Sequence, residues 1–470
     1  MVAYSIEQLH ELFLKEDFDI QKFYDELYKE ALYQQERLNA FVTITKTNPY
    51  KEIKQLFDSI PYVLKDNFNT KGILTTASSQ MLKDYVPVYD AHVVEILKQN
   101  KCHLVGKSSM DELGMGYNNQ TALTGIVCNP WDSSRIAGGS SGGSSALVGS
   151  GLIPFALGSD TGDSIRKPAG YCGVVGMKPT WGRISRYGLI PYASSLDHVG
   201  ALTRNIKDMA LVMEMLSGYD DKDMTSSTQN VPHYRNELNA NMKGLKIAVL
   251  KNVFDDLKDE KIRLNFMDII QTLKRLGVIV EEVSIPNELM EAIIPVYTII
   301  ANCEATSNHA CLDGIKYGCY KDGQSIEDIM IQSRTYGFSS QIRRRFILGS
   351  LALLEDNQEK MFKKAQCVRR LIVDEINKIF LDYDIILTPN SGSIAPLIDH
   401  QSRSYDIIEN HLCLSNFTGM PSLTLPCGFV ENMPIAVNLT GRLFEEQTVL
   451  NIAYALEQEL GYANQYCREG

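Results

Sequence analysis

Residues 138–168 read GGSSGGSSALVGSGLIPFALGSDTGDSIRKP. Glycine and serine weaken helices and strands alike, so crowding them around an apolar run needs a reason. A flexible linker has this Gly/Ser content, but it does not carry Ala146-Leu147-Val148 and Leu152-Ile153-Pro154-Phe155-Ala156-Leu157 in its middle. The segment is built to be buried, and whatever covers it must come from the chain on either side.

Those flanks alternate strand and helix signals. Ser5-Ile6-Glu7-Gln8 fits a capping box, and DIQKFYDELYKEALYQQERL has the apolar spacing of an amphipathic helix. AFVTIT and IPYVL read as strands, the second delivering Lys65 at its C-terminal end; 91–100 reads as a helix and HLVG as a strand. Further on come the strand LKIAVL, a helix through FMDIIQTLKRLG, the strands VIVEEVSI, YDIILTP and IAVNLTG, and the helix EEQTVLNIAYALEQEL. Such alternation predicts the α/β class, a sheet covered by helices on both faces. The polar stretch 219–241 suits a surface connection, and the Cys/Tyr/Gly-rich region 302–345 reads as part of an inserted helical layer around 288–380, within a single domain spanning 1–470.

With 470 residues, 44% hydrophobic and 22% charged, the chain can bury a large core. Its 46 Lys+Arg against 57 Asp+Glu leave a net charge of −11, which argues against nucleic-acid binding by this chain alone. The N-terminus MVAYSIEQLHELF lacks a basic segment followed by an apolar core, and no apolar run reaches membrane-spanning length, so a cytoplasmic location without membrane attachment is expected. The ten cysteines include no C-x-x-C pair. Cys303, Cys311 and Cys319 fall near His309 but match no zinc spacing; reduced, mostly buried thiols and no metal are expected.

Three chemistries compete for the Gly/Ser segment. Phosphate binding fails, because Gly106-Lys107-Ser108 has Lys101 where a phosphate loop places its first glycine. A nucleophile elbow at Ser141 fits G-x-S-x-G formally, yet the preceding NPWDSSRIA is no buried strand, and none of His198, His233, His309, His400 or His411 sits in a distinctive motif. The third uses two serines and a lysine. Here the sequence resembles the amidase signature family, whose pattern G-G-S-S-G-G-S, then G-S-D-T-G-G-S-I-R-x-P, then C-G-x-x-G-x-K-P-T is matched almost throughout by 138–180. Spacings agree too: 75 positions separate Lys65 from Ser140, and 24 separate Ser140 from Ser164. SRYGLIPYASSLDHVGALTR, EATSNHACLDGIKYG, RRRFILGS and NFTGMPSLTLPCGF point to one branch, the glutamine-hydrolysing subunits of tRNA-dependent amidotransferases.

The resemblance implies the amidase signature fold, a large mixed β-sheet covered by helices, and a Ser-Ser-Lys mechanism. In it Ser164 attacks the amide, Ser140, preceded by a cis peptide in the family, relays the proton, and Lys65 accepts it. A lysine titrates near 10.4 in water, so a base working near neutrality needs a downward shift of roughly three units, about 4 kcal/mol, from burial. Backbone N–H groups from Thr161, Gly162, Asp163 and Ser164 would form the oxyanion hole, glycine leaving the approach open. The implied substrate is glutamine, its α-carboxylate held by one of Arg343, Arg344 and Arg345, with Arg344 favoured, and its ammonium by Glu409. No cofactor is implied for this chain. ATP, Mg²⁺ and Glu-tRNA(Gln) would belong to a B subunit of the amidotransferase, braced by a small C subunit. A free-standing amidase is the alternative.

Two departures stand beside the nucleophile. The family usually has Gly-Gly-Ser where this chain has Gly162-Asp163-Ser164, and glutamine where it has Lys167. A carboxylate at 163 should oppose an oxyanion, and aspartate resists left-handed backbone angles. Pairing of Asp163 with Lys167 or Arg166 would turn it away; otherwise the chain is an impaired scaffold subunit.

Overall fold

The strands β2 (Pro61–Lys65) and β4 (Phe155–Asp160) carry no exposed residue, as strands covered on both faces must. They lie side by side, parallel, in the computed structural model, which describes residues 3–399 and 405–467. The other strands of this sheet are β1 (Phe41–Ile44), β3 (His103–Ser108), β5 (Val175–Lys178), β6 (His198–Thr203), β7 (Lys246–Leu250), β8 (Ile279–Val283), β9 (Ile385–Pro389), β10 (Ser422–Val430) and β11 (Met433–Gly441). All eleven form one mixed sheet in the order β1-β3-β2-β4-β6-β5-β10-β11-β9-β7-β8. β2, β3 and β4 are parallel, as are β7, β8 and β9, and the antiparallel strands β6, β5, β10 and β11 join the two sets.

Both faces are covered. Successive side chains of a strand point to opposite sides. On β10 and β11, Leu423, Leu425, Val437 and Leu439 join the apolar core with Val449 and Leu450 of the helix Glu446–Leu460. The alternate residues Ser422 and Ala436 meet the helix Arg166–Cys172 through Arg166 and Gly170. Between β8 and β9 the described residues hold no strand. The helices Ile293–Asn308, Ser340–Leu353 and Lys364–Ile379 pack there over Ala248, Leu250 and Ile386 of β7 and β9. Residues 219–241 form neither helix nor strand and are anchored by buried Tyr234.

The Gly/Ser segment becomes the helix Gly142–Gly149, all of it buried, followed by β4. Glycine is required here by close approach: a Cβ on Gly143 would lie 2.5 Å from the carbonyl oxygens of both Ala40 and Ser109. One of its serines, Ser144, faces strands rather than water. Ser144 Oγ donates to Leu157 O at 3.0 Å and lies 2.7 Å from Ser108 Oγ, so small hydroxyls satisfy buried polar groups where a larger side chain could not fit.

Candidate active site

The pairing of Leu64 with Leu157 sets Lys65, last residue of β2, beside the end of β4. Its Nζ donates to Ser159 O at 3.0 Å and lies 2.9 Å from Ser159 Oγ and 2.8 Å from Ser140 Oγ. Asn67 Nδ2 donates to the same Ser159 Oγ at 2.9 Å, fixing that hydroxyl. A neutral amine has two hydrogens and one lone pair. Ser159 can take both hydrogens, one on its carbonyl and one on its hydroxyl, which leaves the lone pair for the proton of Ser140. Lys65 is fully buried, and burial lowers its pKa to about 7, against the opposing pull of Asp160, Asp111, Asp197 and Asp163.

Ser140 follows a cis Gly139–Ser140 peptide, and the next residue ties it to the other serine: Ser141 N donates to Ser164 O at 3.0 Å. Gly139 is obligatory, since a Cβ there would lie 2.1 Å from Asp111 Oδ2 and 2.8 Å from Asn119 N. The loop Thr161–Ser164 leaves the end of β4. Among the described residues nothing accepts from its four backbone N–H groups, the condition for an oxyanion cradle. The loop is held from both ends. Thr161 Oγ1 donates to Asp197 Oδ1 at 2.7 Å, while Asp197 Oδ2 accepts from the N–H groups of Tyr192 and Ala193. Arg166 Nη2 donates to Gly162 O at 2.7 Å and to Asp160 Oδ1 at 2.9 Å, and its Nε to Asp160 Oδ2 at 3.1 Å. Burial raises the Asp160 carboxyl's pKa, but Arg166, Ile165 N and Asn416 together bring it below the usual carboxylate range.

Beside this loop opens a cavity of about 360 Å³, lined by Asp163, Lys167, Tyr192, Tyr297, Arg345 and Glu409 among others. Lys65, Ser140 and Ser164 are buried and are not among its lining residues, although Asp163, next to Ser164, is; Ser164 is 3% exposed. The cavity's arginine is Arg345, whose Nη1 donates to Tyr192 Oη at 2.8 Å, and Arg344 is exposed outside it. The helix phase explains which arginine faces the cavity. Ile342, Phe346 and Gly349 mark the inward face of Ser340–Leu353; Arg345 lies beside Phe346 on that face, and Arg344 points away.

Glu409 lines the cavity, but its carboxylate is engaged: Oε2 accepts from Lys167 Nζ at 2.6 Å and Oε1 from Gly392 N at 2.9 Å. Lys167 Nζ also donates to Glu409 O at 2.7 Å. The expected pairing of Asp163 is therefore absent. Lys167 is held by Glu409 and Arg166 by Asp160, because each finds a better placed carboxylate. Asp163 takes no hydrogen bond or ion pair on its side chain among the described residues, and burial pushes its pKa up to about 6 despite nearby Lys167. Nor is its backbone left-handed, so the expected conformational cost does not arise.

A family model for amidases matches residues 15–450. The chain belongs to the amidase family. The glutamyl-tRNA(Gln) amidotransferase A subunit of Geobacillus sp. (strain WCH70) is 37% identical, with 98% of each chain covered, and that of Staphylococcus epidermidis (strain ATCC 12228 / FDA PCI 1200) is 38% identical at the same coverage. The crystal structure of the Thermotoga maritima glutamyl-tRNA(Gln) amidotransferase A subunit matches with a TM-score of 0.81 at 34% identity, over 99% of this chain and 98% of that one.

Other readings of this amidase's sequence find no support in its geometry. Ser141 Oγ donates to Ser159 O at 3.1 Å, and among the described residues no histidine is hydrogen-bonded to it. His400 lies outside the described residues. Among the described residues no three His, Cys, Asp or Glu side chains are arranged to hold a metal ion, and no helix is long and apolar enough to cross a membrane. Sequence reasoning missed Ser159, Asp160, Asp197 and Asn416. Only GSD, which places the first two at a strand end, carried a local signal.

Proposed function

We propose that this amidase hydrolyses the side-chain amide of glutamine and supplies ammonia within a tRNA-dependent amidotransferase. One observation carries the reading: a fully buried amine with a pKa of about 7, 2.8 Å from Ser140 Oγ, beside a loop of unengaged N–H groups. Ser164 Oγ attacks the amide carbon, and its proton passes through Ser140 to the Lys65 lone pair. The oxyanion settles on the N–H groups of Thr161–Ser164, each worth about 2.7 to 4 kcal/mol in the transition state. Collapse expels ammonia, which takes the proton back from Lys65 through Ser140. Water then attacks the glutamyl ester by the same path and frees glutamate and Ser164. Arg345 would hold the α-carboxylate, a planar fork suited to it.

The chain's acidity supports placing ATP, Mg²⁺ and Glu-tRNA(Gln) on a B subunit; a C subunit joining the pair and a cytoplasmic location belong to the same proposal. The test is ammonia release from L-glutamine by the chain alone and with partner subunits added. Release that rises with the partners and vanishes in Ser164→Ala is expected; none from glutamine under either condition would overturn the assignment. Efficient cleavage of unrelated amides, indifferent to partners, would instead identify a free-standing amidase.

A further inference from the structure

Four of the cavity's charged groups, Asp163, Lys167, Arg345 and Glu409, do not form two internal pairs. Lys167 and Glu409 neutralise each other at 2.6 Å, with the second Glu409 oxygen on Gly392 N at 2.9 Å. The other charged lining groups, Lys258, Asp256 and Asp406, make a cluster of their own, Lys258 lying 4.0 and 3.0 Å from the two carboxylates. Among the described residues this leaves one lining cation without a carboxylate partner, Arg345, and one lining carboxylate without a cation partner, Asp163. That remainder is complementary to an α-amino acid zwitterion. Glu409 is a poor seat for a second cation, since Lys167 already holds Oε2 and would repel it.

We propose that Asp163 receives the α-ammonium of the substrate, and that the bound ammonium removes the carboxylate's opposition to the oxyanion next to it. The position of Asp163 makes both effects parts of one device. It precedes Ser164 directly and contributes a backbone N–H to the cradle, so its charge lies close to the oxygen that becomes negative. An amide without an α-ammonium leaves that charge exposed and reacts slowly. An amino acid amide neutralises it on binding. Asp163 is thus a specificity residue acting on turnover as well as on affinity, which converts an unfavourable substitution into a filter. This inference rests on the glutamine reading.

The decisive experiment compares L-glutamine with glutaramate, the same amide lacking the amino group, on the full chain with its partner subunits. Wild type should prefer glutamine. Asp163→Asn should lower kcat/KM for glutamine about 10- to 100-fold, the range of a lost charge-assisted bond, and raise kcat for glutaramate. A fall in both rates by the same factor would make Asp163 a structural residue and overturn the proposal. So would preference retained in Asp163→Asn and lost in Glu409→Gln. Calorimetric binding of both compounds to Ser164→Ala, with and without Asp163→Asn, reads the ammonium site without turnover. Preference for glutamine that disappears with Asp163→Asn supports it, and preference absent from Ser164→Ala or kept in the double variant overturns it. Absence of ammonia release by wild type would defeat the glutaminase assignment separately.

Discussion

Lys65 works because it is kept dry. Its unperturbed pKa near 10.4 would leave it protonated and useless as a base at neutrality, and burial brings it to about 7. Protonation destroys the acceptor, so kcat/KM for glutamine should rise with pH through a one-proton step near 7. Lys65→Met should abolish the step and reduce turnover by about 10²- to 10⁴-fold, the range of general acid–base catalysis; an unchanged acid limb in that variant would assign the titration to another group. Because the Asp163 charge helps hold the amine protonated, Asp163→Asn should move the step to lower pH. The arginines supply a second residue-scale prediction. Arg345→Ala should raise KM for glutamine about 10- to 100-fold, as expected when a carboxylate loses a charged donor, while Arg344→Ala should leave it unchanged. The sequence offered three arginines and favoured Arg344, whereas the one that lines the cavity is Arg345. Three consecutive helical residues point in three directions, and only the phase of Ile342, Phe346 and Gly349 selects Arg345, a pattern present in the sequence but hidden by the eye-catching triplet.

Between β4 and the helix Arg166–Cys172 the site depends on a junction rather than on any one residue. Asp160 ends the strand, Arg166 starts the helix, and their fully buried ion pair closes the loop that holds Ser164. Arg166 also donates to Leu412 O, Ser415 Oγ and Asn416 Oδ1, fastening the loop to a segment nearly 250 residues away. Removing one partner leaves a buried charge, so Arg166→Met should cost about 3 to 5 kcal/mol in unfolding free energy. Arg166→Lys should recover only part of it, because a single ammonium cannot reproduce the forked contact. Equal midpoints of denaturation for wild type and Arg166→Met would show that the junction does not hold the fold together. This element-scale device was half legible. The stretch GSDTGDSIRKP announces a strand end and a loop, and the strong β2 and β4 signals come from continuous apolar runs. By contrast β5, β6 and β10 are interrupted by glycine, histidine or proline and read as strands only once their neighbours are known. The Lys167–Glu409 pair spans 242 positions, and no local pattern could have announced it.

For the molecule as a whole the charge balance decides what it can bind unaided. A polyanion is held by clustered cations that displace its counterions, with an affinity that falls steeply with salt. This chain has net charge −11, and many of its cations are committed to carboxylates, among them Lys98 to Asp90, Lys222 to Glu95, Lys261 to Glu431 and Arg442 to Asp384. Several others, Lys65, Lys107, Lys178 and Arg166, are buried and unavailable to any surface ligand. The isolated chain should therefore fail to retard tRNA in electrophoresis at physiological salt, and retardation should appear only when partner subunits are present. Mixing order gives the sharper form of the experiment. If tRNA recognition lies on the partner, adding this chain to a preformed partner–tRNA complex should enlarge the complex without changing its salt sensitivity. A steeper salt dependence in the ternary complex would instead reveal phosphate contacts made by this chain and would place part of tRNA recognition on its surface.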